Sequence, residues 1–498
     1  MVRNGDNSVM GELTRIDISK GWMPDFLPYE MPDGGCLECK NLLPYSEFFA
    51  AAYSSNAIAS TVLSGTPLAG EMFKDSNLIR KTYVGTTTRI YEVYGTNIVN
   101  KTPTAGVATA TTAWDFAQYG NWVIATNNID APIVIKGFSE SNFVTLANAP
   151  TTAKHAHFNN GHLVFGNTNG DPKKLEWSAY QNVEDYTASL TTGAGSVVVS
   201  DADGEITGIA AVGQHMAVFH PESITFVHYT GFPYTFNVIP RKVRNVGAIE
   251  KTMISVGGVC YFWDNRDLYM FDGNQEQAIG TGVRREVLDR LDLANTHRIS
   301  TTFDPFRRLI YWAYPSVAST DGTPDKVLLY NIEARKFSWL DMDMQCLFRL
   351  ITGAITMDNI DSIYSDIDQM PYQMDSSRYK GSLDIMGGCV AGQVCTLDGA
   401  ILTGEVVTRE LSNGEDVLHI NRVRPNIQNY TPNSVTGYVG SRMSKSETSV
   451  SYTAGAVINT SDNCDIRKSG RLLRIKLLTR AHSGFASIEV DLKKVSGR

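Results

Sequence analysis

Two neighbouring segments of the same design lie within residues 114–178, and this repetition constrains the fold most strongly. Each segment has an alternating apolar run, a tight turn, a second apolar run, a polar loop and a third apolar run. The turns fall at Gly120 and Asn121 and at Asn160 and Gly161. A two-residue hairpin turn needs positive φ, which Gly and Asn adopt at low cost. Both segments are therefore predicted to be antiparallel β-hairpins.

Four more segments share this design, so that six begin near residues 71, 114, 155, 205, 248 and 298. Turns that recur every ~35 to 50 residues, with about four short strands per interval, are typical of a β-propeller. Each small sheet buries its two apolar faces by stacking on its neighbours. A series of β-sandwiches is less suitable, because a sandwich needs about seven strands before its pattern restarts. The sequence predicts six blades, and a seventh blade or a ring closure begins at Leu347.

The chain is predicted to be all-β and to have four parts. These are an extended N-terminal arm (residues 1–44), the β-propeller (45–350), an acidic connector with short strands (351–400) and a β-sandwich-like domain (401–498). The arm is rich in Pro and Gly and is the expected link between the first and last blades. The last part contains five or more longer strands without the propeller pattern. Helical character is expected only at residues 285–293.

Composition limits the partners and the compartment. The 52 acidic residues exceed the 44 Lys and Arg residues, so the whole chain does not attract nucleic acid or anionic membranes electrostatically. The first twenty residues lack the apolar core of a signal peptide, and no run approaches the ~20 apolar residues of a membrane helix. We expect a protein made and kept soluble in a cytoplasm. Seven scattered cysteines favour free thiols over a disulfide framework.

Two segments resemble parts of metal sites. Cys36 and Cys39 have the spacing of half a zinc site, but no second pair follows at a suitable distance, and Cys389 and Cys395 are far away. Residues 201–205 begin like a calcium loop but lack the later acidic ligand, so a turn capped by its own Asp side chains is expected. The acidic run from Asp358 to Asp368 is expected to be a solvated loop. We predict no metal and no cofactor.

The sequence predicts no enzymatic activity. His155 and His157 alternate on one strand, with His162 past the turn, so two of the three can share a face. The sequence places no cysteine or carboxylate beside them. There is no GxSxG elbow, phosphate loop or HExxH motif. Paired carboxylates from distant blades, which would cleave glycans, remain an open alternative.

Two basic clusters are candidate contacts with a polyanion or a neighbouring subunit. Strand alternation puts Arg241 on the face of Val243, and Lys242 on the face of Arg244. Arg474 and Lys476 likewise share a strand face in the C-terminal domain. The five candidates are Arg241, Lys242, Arg244, Arg474 and Lys476. A solvated blade edge is the alternative to polyanion binding.

Several segments, taken in order, carry a family resemblance. They are ISKGWMPDFLP, WDFAQYGNWVIATNNIDAPIVIK, HLVFGNTNGDPKKLEWS, ITFVHYTGFPYTF, LYMFDG and RKSGRLLRIKLLTRAHSGFASIEVDL. In this order the chain resembles the tail hub or nozzle proteins of short-tailed bacteriophages, including those described as packaged-DNA stabilisation proteins. The resemblance spans nearly the whole chain and rests on the blade pattern, not on a catalytic motif.

The resemblance implies a structural virion protein of the tail, assembled in the host cytoplasm. Six copies would form a ring below the portal that retains packaged DNA and conducts it during ejection. The implied partners are the portal or an adaptor protein, tail fibre or tailspike proteins, and the passing double-stranded DNA. The alternatives are a monomeric propeller scaffold, a receptor-binding virion protein, for which the aromatic tip at Phe232, Pro233 and Tyr234 would be relevant, and a glycan-acting propeller hydrolase.

Overall fold

The structure is a computed structural model that describes residues 12–110, 114–351, 384–431, 433–480 and 482–495. These residues form an all-β protein of short strands, which confirms the predicted class. The predicted helical segment is shorter than expected: an α-helix spans Arg284–Leu288, and a 3₁₀ helix follows at Leu293–Arg298. Neither helix is long and apolar enough to cross a membrane, and the same holds for the rest of the described chain.

The N-terminal segment consists of six strands. They are β1 (Glu12–Asp17), β2 (Gly21–Trp22), β3 (Gly35–Lys40), β4 (Leu42–Pro44), β5 (Phe49–Ala51) and β6 (Asn56–Val62). None of these strands forms a sheet of its own. Each of them, directly or through a neighbour, belongs to a sheet built mainly from later parts of the chain.

Six four-stranded antiparallel units follow, and we call them units 1 to 6. Unit 1 is β7 (Pro67–Lys74), β8 (Arg80–Thr86), β9 (Ile90–Tyr94) and β10 (Asn97–Asn100); unit 2 is β11 (Asp115–Tyr119), β12 (Trp122–Thr126), β13 (Ile133–Ile135) and β14 (Val144–Thr145); unit 3 is β15 (Ala153–Asn159), β16 (His162–Thr168), β17 (Asp171–Trp177) and β18 (Gly195–Val198). Both predicted hairpins are confirmed, because Tyr119 pairs with Trp122 and Asn159 pairs with His162 across the predicted turns.

The other three predicted segments are also four-stranded. Unit 4 is β19 (Gly208–Val212), β20 (His215–Phe219), β21 (Ser223–Gly231) and β22 (Thr235–Arg244); unit 5 is β23 (Ile254–Val256), β24 (Val259–Trp263), β25 (Leu268–Phe271) and β26 (Glu276–Ala278); unit 6 is β27 (Ser300–Asp304), β28 (Leu309–Tyr314), β29 (Lys326–Asn331) and β30 (Lys336–Asp341). Small four-stranded antiparallel sheets of this kind are typical of propeller blades.

The predicted count of six is not confirmed, because a further four-stranded unit is present. Unit 7 contains β31 (Cys346–Ile351), β32 (Asp384–Val390) and β33 (Gln393–Thr396), and its fourth strand is the N-terminal β6. Cys395 pairs with Ala57, and Thr396 pairs with Asn56. The last unit is thus completed by a strand that precedes the first unit in sequence.

The first strand of each unit contacts the first strand of the next. Contacts run from β7 to β11, β15, β19, β23, β27 and β31 in turn, and β31 contacts β7 again. Tryptophans reinforce these contacts: the indole of Trp114 donates to the Thr86 carbonyl of unit 1 (2.7 Å), and that of Trp312 in unit 6 donates to the Thr252 carbonyl beside unit 5 (2.8 Å).

The C-terminal strands belong to two sheets with a shared core. They are β34 (Gly404–Thr408), β35 (Leu411–Ser412), β36 (Val417–Gln428), β37 (Val435–Arg442), β38 (Ser451–Tyr452), β39 (Ala456–Val457), β40 (Lys468–Gly470), β41 (Leu472–Thr479) and β42 (Gly484–Val495). One sheet contains β36, β40 and β42 with β1, β4 and β5. The other contains β34, β35, β37, β38, β39 and β41. Val423 and Val490 of the first sheet share a core with Val439 and Ile475 of the second.

Strand β3 joins this C-terminal region to unit 6. It pairs antiparallel with β34 and parallel with β30, where Lys40 is opposite Trp339. A single twelve-stranded sheet therefore runs from unit 6 through β2 and β3 into the C-terminal strands. The same large hydrophobic core contains Trp263 and Trp312 of the units together with Val439 and Ile475 of the C-terminal sheets.

The pairing of β6 with β33 is testable by cross-linking. Val62 lies directly opposite Gln393, so their side chains are on one face of the sheet. We expect the double variant Val62→Cys/Gln393→Cys to form a disulfide under mild oxidation, detected by peptide mapping. The control Thr61→Cys/Gln393→Cys has its first thiol on the opposite face. Equal cross-linking of both pairs, or none of the first, would contradict the pairing.

The contact between units 1 and 2 is also testable. A Cβ at Gly85 would lie 2.3 Å from the indole ring of Trp114, which is buried. Gly85→Ala should therefore destabilise the protein by ~1 to 3 kcal/mol, because overpacking forces neighbouring groups to shift. At Gly137 the nearest atom is Ser139 Oγ at 4.0 Å, so Gly137→Ala is the matched control. Chemical denaturation measures both, and equal stability of the two variants would contradict this packing.

Candidate functional site

The first strands of all seven units surround a central cavity of about 430 Å³. Each strand contributes to its wall, together with residues that immediately precede β11, β19, β23 and β27. The charged and imidazole side chains in the wall are Glu71, Asp115, His155, His157, Lys251 and Arg349. This concentration of titratable groups makes the cavity the candidate functional site.

Asp115, the first residue of β11, is the best-connected charge in the cavity. Its carboxylate lies 3.5 Å from Lys251 Nζ and 3.3 Å from His155 Nδ1, and it accepts a hydrogen bond from the Ala156 amide (3.3 Å). Burial raises the pKa of Asp115, but Lys251 and His155 outweigh burial and lower the pKa to about 2. The group is therefore an ionised carboxylate at neutral pH, and it links units 2, 3 and 5.

His155 is held at both ring nitrogens. Nδ1 faces the Asp115 carboxylate, and Nε2 faces the Ile206 carbonyl at 3.2 Å. Both partners are acceptors, so both contacts become hydrogen bonds at once only when the imidazole is protonated. A ring that is occupied on both sides is not free to act as a general base, and the geometry indicates a structural link between neighbouring units.

Glu71 on β7 is the least compensated charge in the cavity. Within the part of the chain that the structure describes, its carboxylate has no hydrogen bond or ion pair. Loss of hydration between the cavity walls, with repulsion from Asp115, raises the pKa of Glu71 to about 7, although Arg349 and Lys251 act in the opposite direction. Glu71 and Asp115 thus differ in protonation near neutral pH.

His157 lies on the same face of β15 as His155 and also lines the cavity. Burial lowers the pKa of His157 to about 4, so the imidazole is neutral at pH 7. Among the described residues its Nε2 has no hydrogen-bond partner. His162 lies elsewhere: it is buried in the adjacent strand, and its Nδ1 contacts the Ser178 carbonyl at 2.7 Å. The expectation that two of the three histidines share a face is confirmed.

The first basic cluster lies on β22, the strand of unit 4 farthest from the cavity. Arg241, Lys242 and Arg244 are all exposed, and Arg241 forms an ion pair with Asp203. The predicted alternation is wrong at this point, because Arg241 has φ of 49° and the pairing register shifts between Ile224 and Phe226. The resulting bulge turns the basic residues outward together.

The second basic cluster is engaged within the C-terminal sheet. Arg474 lies over the Tyr452 ring at 5.3 Å, and Lys476 forms an ion pair with Glu405 of the adjacent strand. Both side chains are half-buried. These contacts reduce the charge that Arg474 and Lys476 can offer to a polyanion.

Other candidates from the sequence have ordinary surroundings. All seven cysteines, including Cys36 and Cys39, are buried free thiols. In the 201–205 turn, Asp203 contacts Arg241, and Glu205 lies 3.9 Å from Lys154. No group of three or more His, Cys, Asp or Glu residues within the described ranges is arranged to hold a metal ion. The run from Asp358 to Asp368 lies outside the described residues.

Sequence reasoning missed the residues that define the cavity. It placed no carboxylate beside His155, whereas Asp115 lies there, because that contact is made between units and not within one. Glu71, Lys251 and Arg349 were not selected for the same reason. Aligning the six repeats would have provided a signal, since inward-facing positions of each first strand meet around one cavity.

The state of Glu71 predicts a pH-dependent effect on stability. Its pKa in the folded protein, about 7, exceeds the ~4.3 of an unfolded chain. Its contribution to stability is therefore full below pH ~4 and is lost as the pH rises through 7. Because Glu71 keeps access to open space, the penalty at pH 8 is discounted to on the order of 1 kcal/mol. Glu71→Gln should thus be more stable than the wild type at pH 8 and nearly equal at pH 5, measured by chemical denaturation. A destabilised variant at pH 8 would contradict this assignment.

Comparison with known proteins adds little to the geometry. No protein-family model and no curated protein matches this chain. Among solved structures, the crystal structure of the computationally designed Ika8 protein is similar to it with a TM-score of 0.37 and 10% sequence identity. The similarity covers 68% of this chain and 99% of the designed chain. At this level it carries no conclusion about function.

Proposed function

We propose that this protein is a non-enzymatic structural protein of a short bacteriophage tail. Six copies would form a ring below the portal, retain the packaged DNA and conduct it during ejection. The proposal rests first on the resemblance of the ordered segments, from ISKGWMPDFLP to the C-terminal RKSGRLLRIKLLTR, to tail hub or nozzle proteins. Portal or adaptor proteins and tail fibres or tailspikes are the neighbours that this role requires.

We further propose that the seven units form one closed propeller. Two observations support closure: the first strands contact one another around the whole series, and β31 of unit 7 contacts β7 of unit 1. The pairing of β6 with β33 would tie the beginning of the chain to its last blade. Closure of this kind leaves no apolar blade face without a neighbour.

The observation that carries the structural role is the continuous twelve-stranded sheet. It connects unit 6 to the C-terminal strands through β2 and β3, so load on either region passes through backbone hydrogen bonds. A buried ion pair between Arg442 and Glu410 (2.6 Å) adds to this connection, because the Glu410 amide also donates to the Pro28 carbonyl. A subunit of a pressurised ring would need such a rigid body.

In this proposal the DNA passes through the axis of the assembled ring and not through the subunit. A space of about 430 Å³ inside one chain is far too small for a duplex. Lys242 and Arg244, exposed on the outer strand of unit 4, are candidates for contact with DNA or a neighbouring subunit. The net charge of −8 favours passage over tight binding, since each neutralised phosphate adds a salt-dependent contact.

One observation favours a second candidate function, glycan hydrolysis. The cavity holds two carboxyl groups with opposite pKa shifts, raised for Glu71 and lowered for Asp115, as in enzymes that pair an acid with a base. However, Asp115 is already held by Lys251, His155 and the Ala156 amide. Hydrolysis of an oligosaccharide panel by the wild type, lost in Glu71→Gln, would support this second candidate over the first.

The structural role is tested with phage heads that contain DNA and a portal but lack this protein. The purified protein should be a monomer by analytical ultracentrifugation, because ring assembly is templated by the portal. On the heads it should form a closed ring, seen by electron microscopy, and make the DNA resistant to added nuclease. Heads without a portal are the control. A protein that ignores portal-containing heads would contradict the proposal.

A further inference from the structure

Three polar groups that face the central cavity have no hydrogen-bond or ion-pair partner among the described residues. They are the Glu71 carboxylate, Nε2 of His157 and Oγ1 of Thr207. Thr207 is only 7% exposed, and His157 Nε2 is fully enclosed. Enclosed polar atoms are almost always paired with protein, water or a ligand. Three of them around one cavity therefore indicate a guest that bonds to all three.

The nearby cations do not neutralise Glu71. Lys251 Nζ lies 3.5 Å from Asp115 and donates to the Trp114 carbonyl at 2.9 Å. Arg349 lies 3.7 Å from Asp384. Both cations are therefore directed at other partners, and the negative charge of Glu71 remains available.

The chemistry of the unpaired groups defines the guest. A carboxylate accepts hydrogen bonds, and so do a hydroxyl oxygen and one nitrogen of a neutral imidazole. An ammonium group has three N–H donors and a positive charge, so it matches these three acceptors in number and in sign. A metal ion fits less well, because the described residues offer no group of three or more His, Cys, Asp or Glu arranged to hold one.

We propose that the central cavity binds a small organic cation through a primary ammonium group, with Glu71 as its counter-ion and His157 and Thr207 as further acceptors. The cavity of about 430 Å³ has room for a short linear amine. This site is independent of the tail function proposed above, because it lies inside one subunit and requires no ring.

Binding of an ammonium group is linked to proton release. A positive charge beside Glu71 favours its ionised form, so a fraction of the Glu71 protons leave when the amine binds near pH 7. The other charged or titratable groups that face the cavity are Asp115, His155, His157, Lys251 and Arg349. Asp115 and His157 have pKa values far below 7, so neither changes its protonation in this range.

Isothermal titration calorimetry with 1,4-diaminobutane tests the site on the full chain. The neutral control ligand is 1,4-butanediol, which has the same length without the charges. We expect the diamine to bind at least tenfold more tightly than the diol. Titrations at pH 7 in two buffers of different ionisation enthalpy should differ in heat, because protons are released to the buffer.

Two variants make the test specific to Glu71. Glu71→Gln should weaken diamine binding at least tenfold and abolish the difference between buffers. Glu276→Gln removes a carboxylate from exposed β26, far from the cavity, and should bind like the wild type. Equal binding of diamine and diol, unchanged binding by Glu71→Gln, or no binding by the wild type would each overturn the proposal. A circular dichroism melt confirms that each variant is folded.

Discussion

Strand β3 is the element on which the rest of the architecture depends, because it pairs on both of its edges. One edge meets β30 of unit 6, and the other meets β34 of the C-terminal region. Side chains secure the adjoining segment: Asn331 donates to the Pro44 carbonyl (2.8 Å), and Ser338 donates to the Leu42 carbonyl (2.6 Å). A chain without β3 would have two separate sheets with exposed edges, which are prone to wrong pairings.

The N-terminal segment therefore acts at three places in the fold. Strand β1 pairs with β42, β3 joins the two regions, and β6 completes unit 7. These long-range pairings form only after distant parts of the chain have been made, so their ordering entropy is recovered late in folding. The result is one rigid body from many small sheets, which agrees with the structural role that we propose for a ring subunit.

The sequence was most informative where structure is decided locally. The hairpins at Gly120 and Asn160 were predictable, since turn chemistry and alternation act over a few residues. The partner of β6 was not predictable from pattern, because nothing in its own residues specifies β33, more than 300 positions away. The bulge at Arg241 was missed for a related reason, since alternation assumes an uninterrupted register.

The cavity shows the same limit for function. His155 was selected from the sequence as a residue type, but its partner Asp115 comes from another unit, and Glu71 became notable only through the partners that it lacks. Residues that meet around an axis are far apart in sequence and close in space. Chemistry at such a site is visible only after the repeats have been superposed or the fold is known.

Hydrogen-exchange mass spectrometry of residues 12–62 tests most directly whether the N-terminal segment binds the molecule into one body. If it does, amides of β3 and β6 exchange as slowly as those of their partners β34 and β33, because both edges of β3 and the inner edge of β6 are paired. Exchange of these peptides within seconds, while β34 and β33 stay protected, would show an unattached arm and would contradict the account.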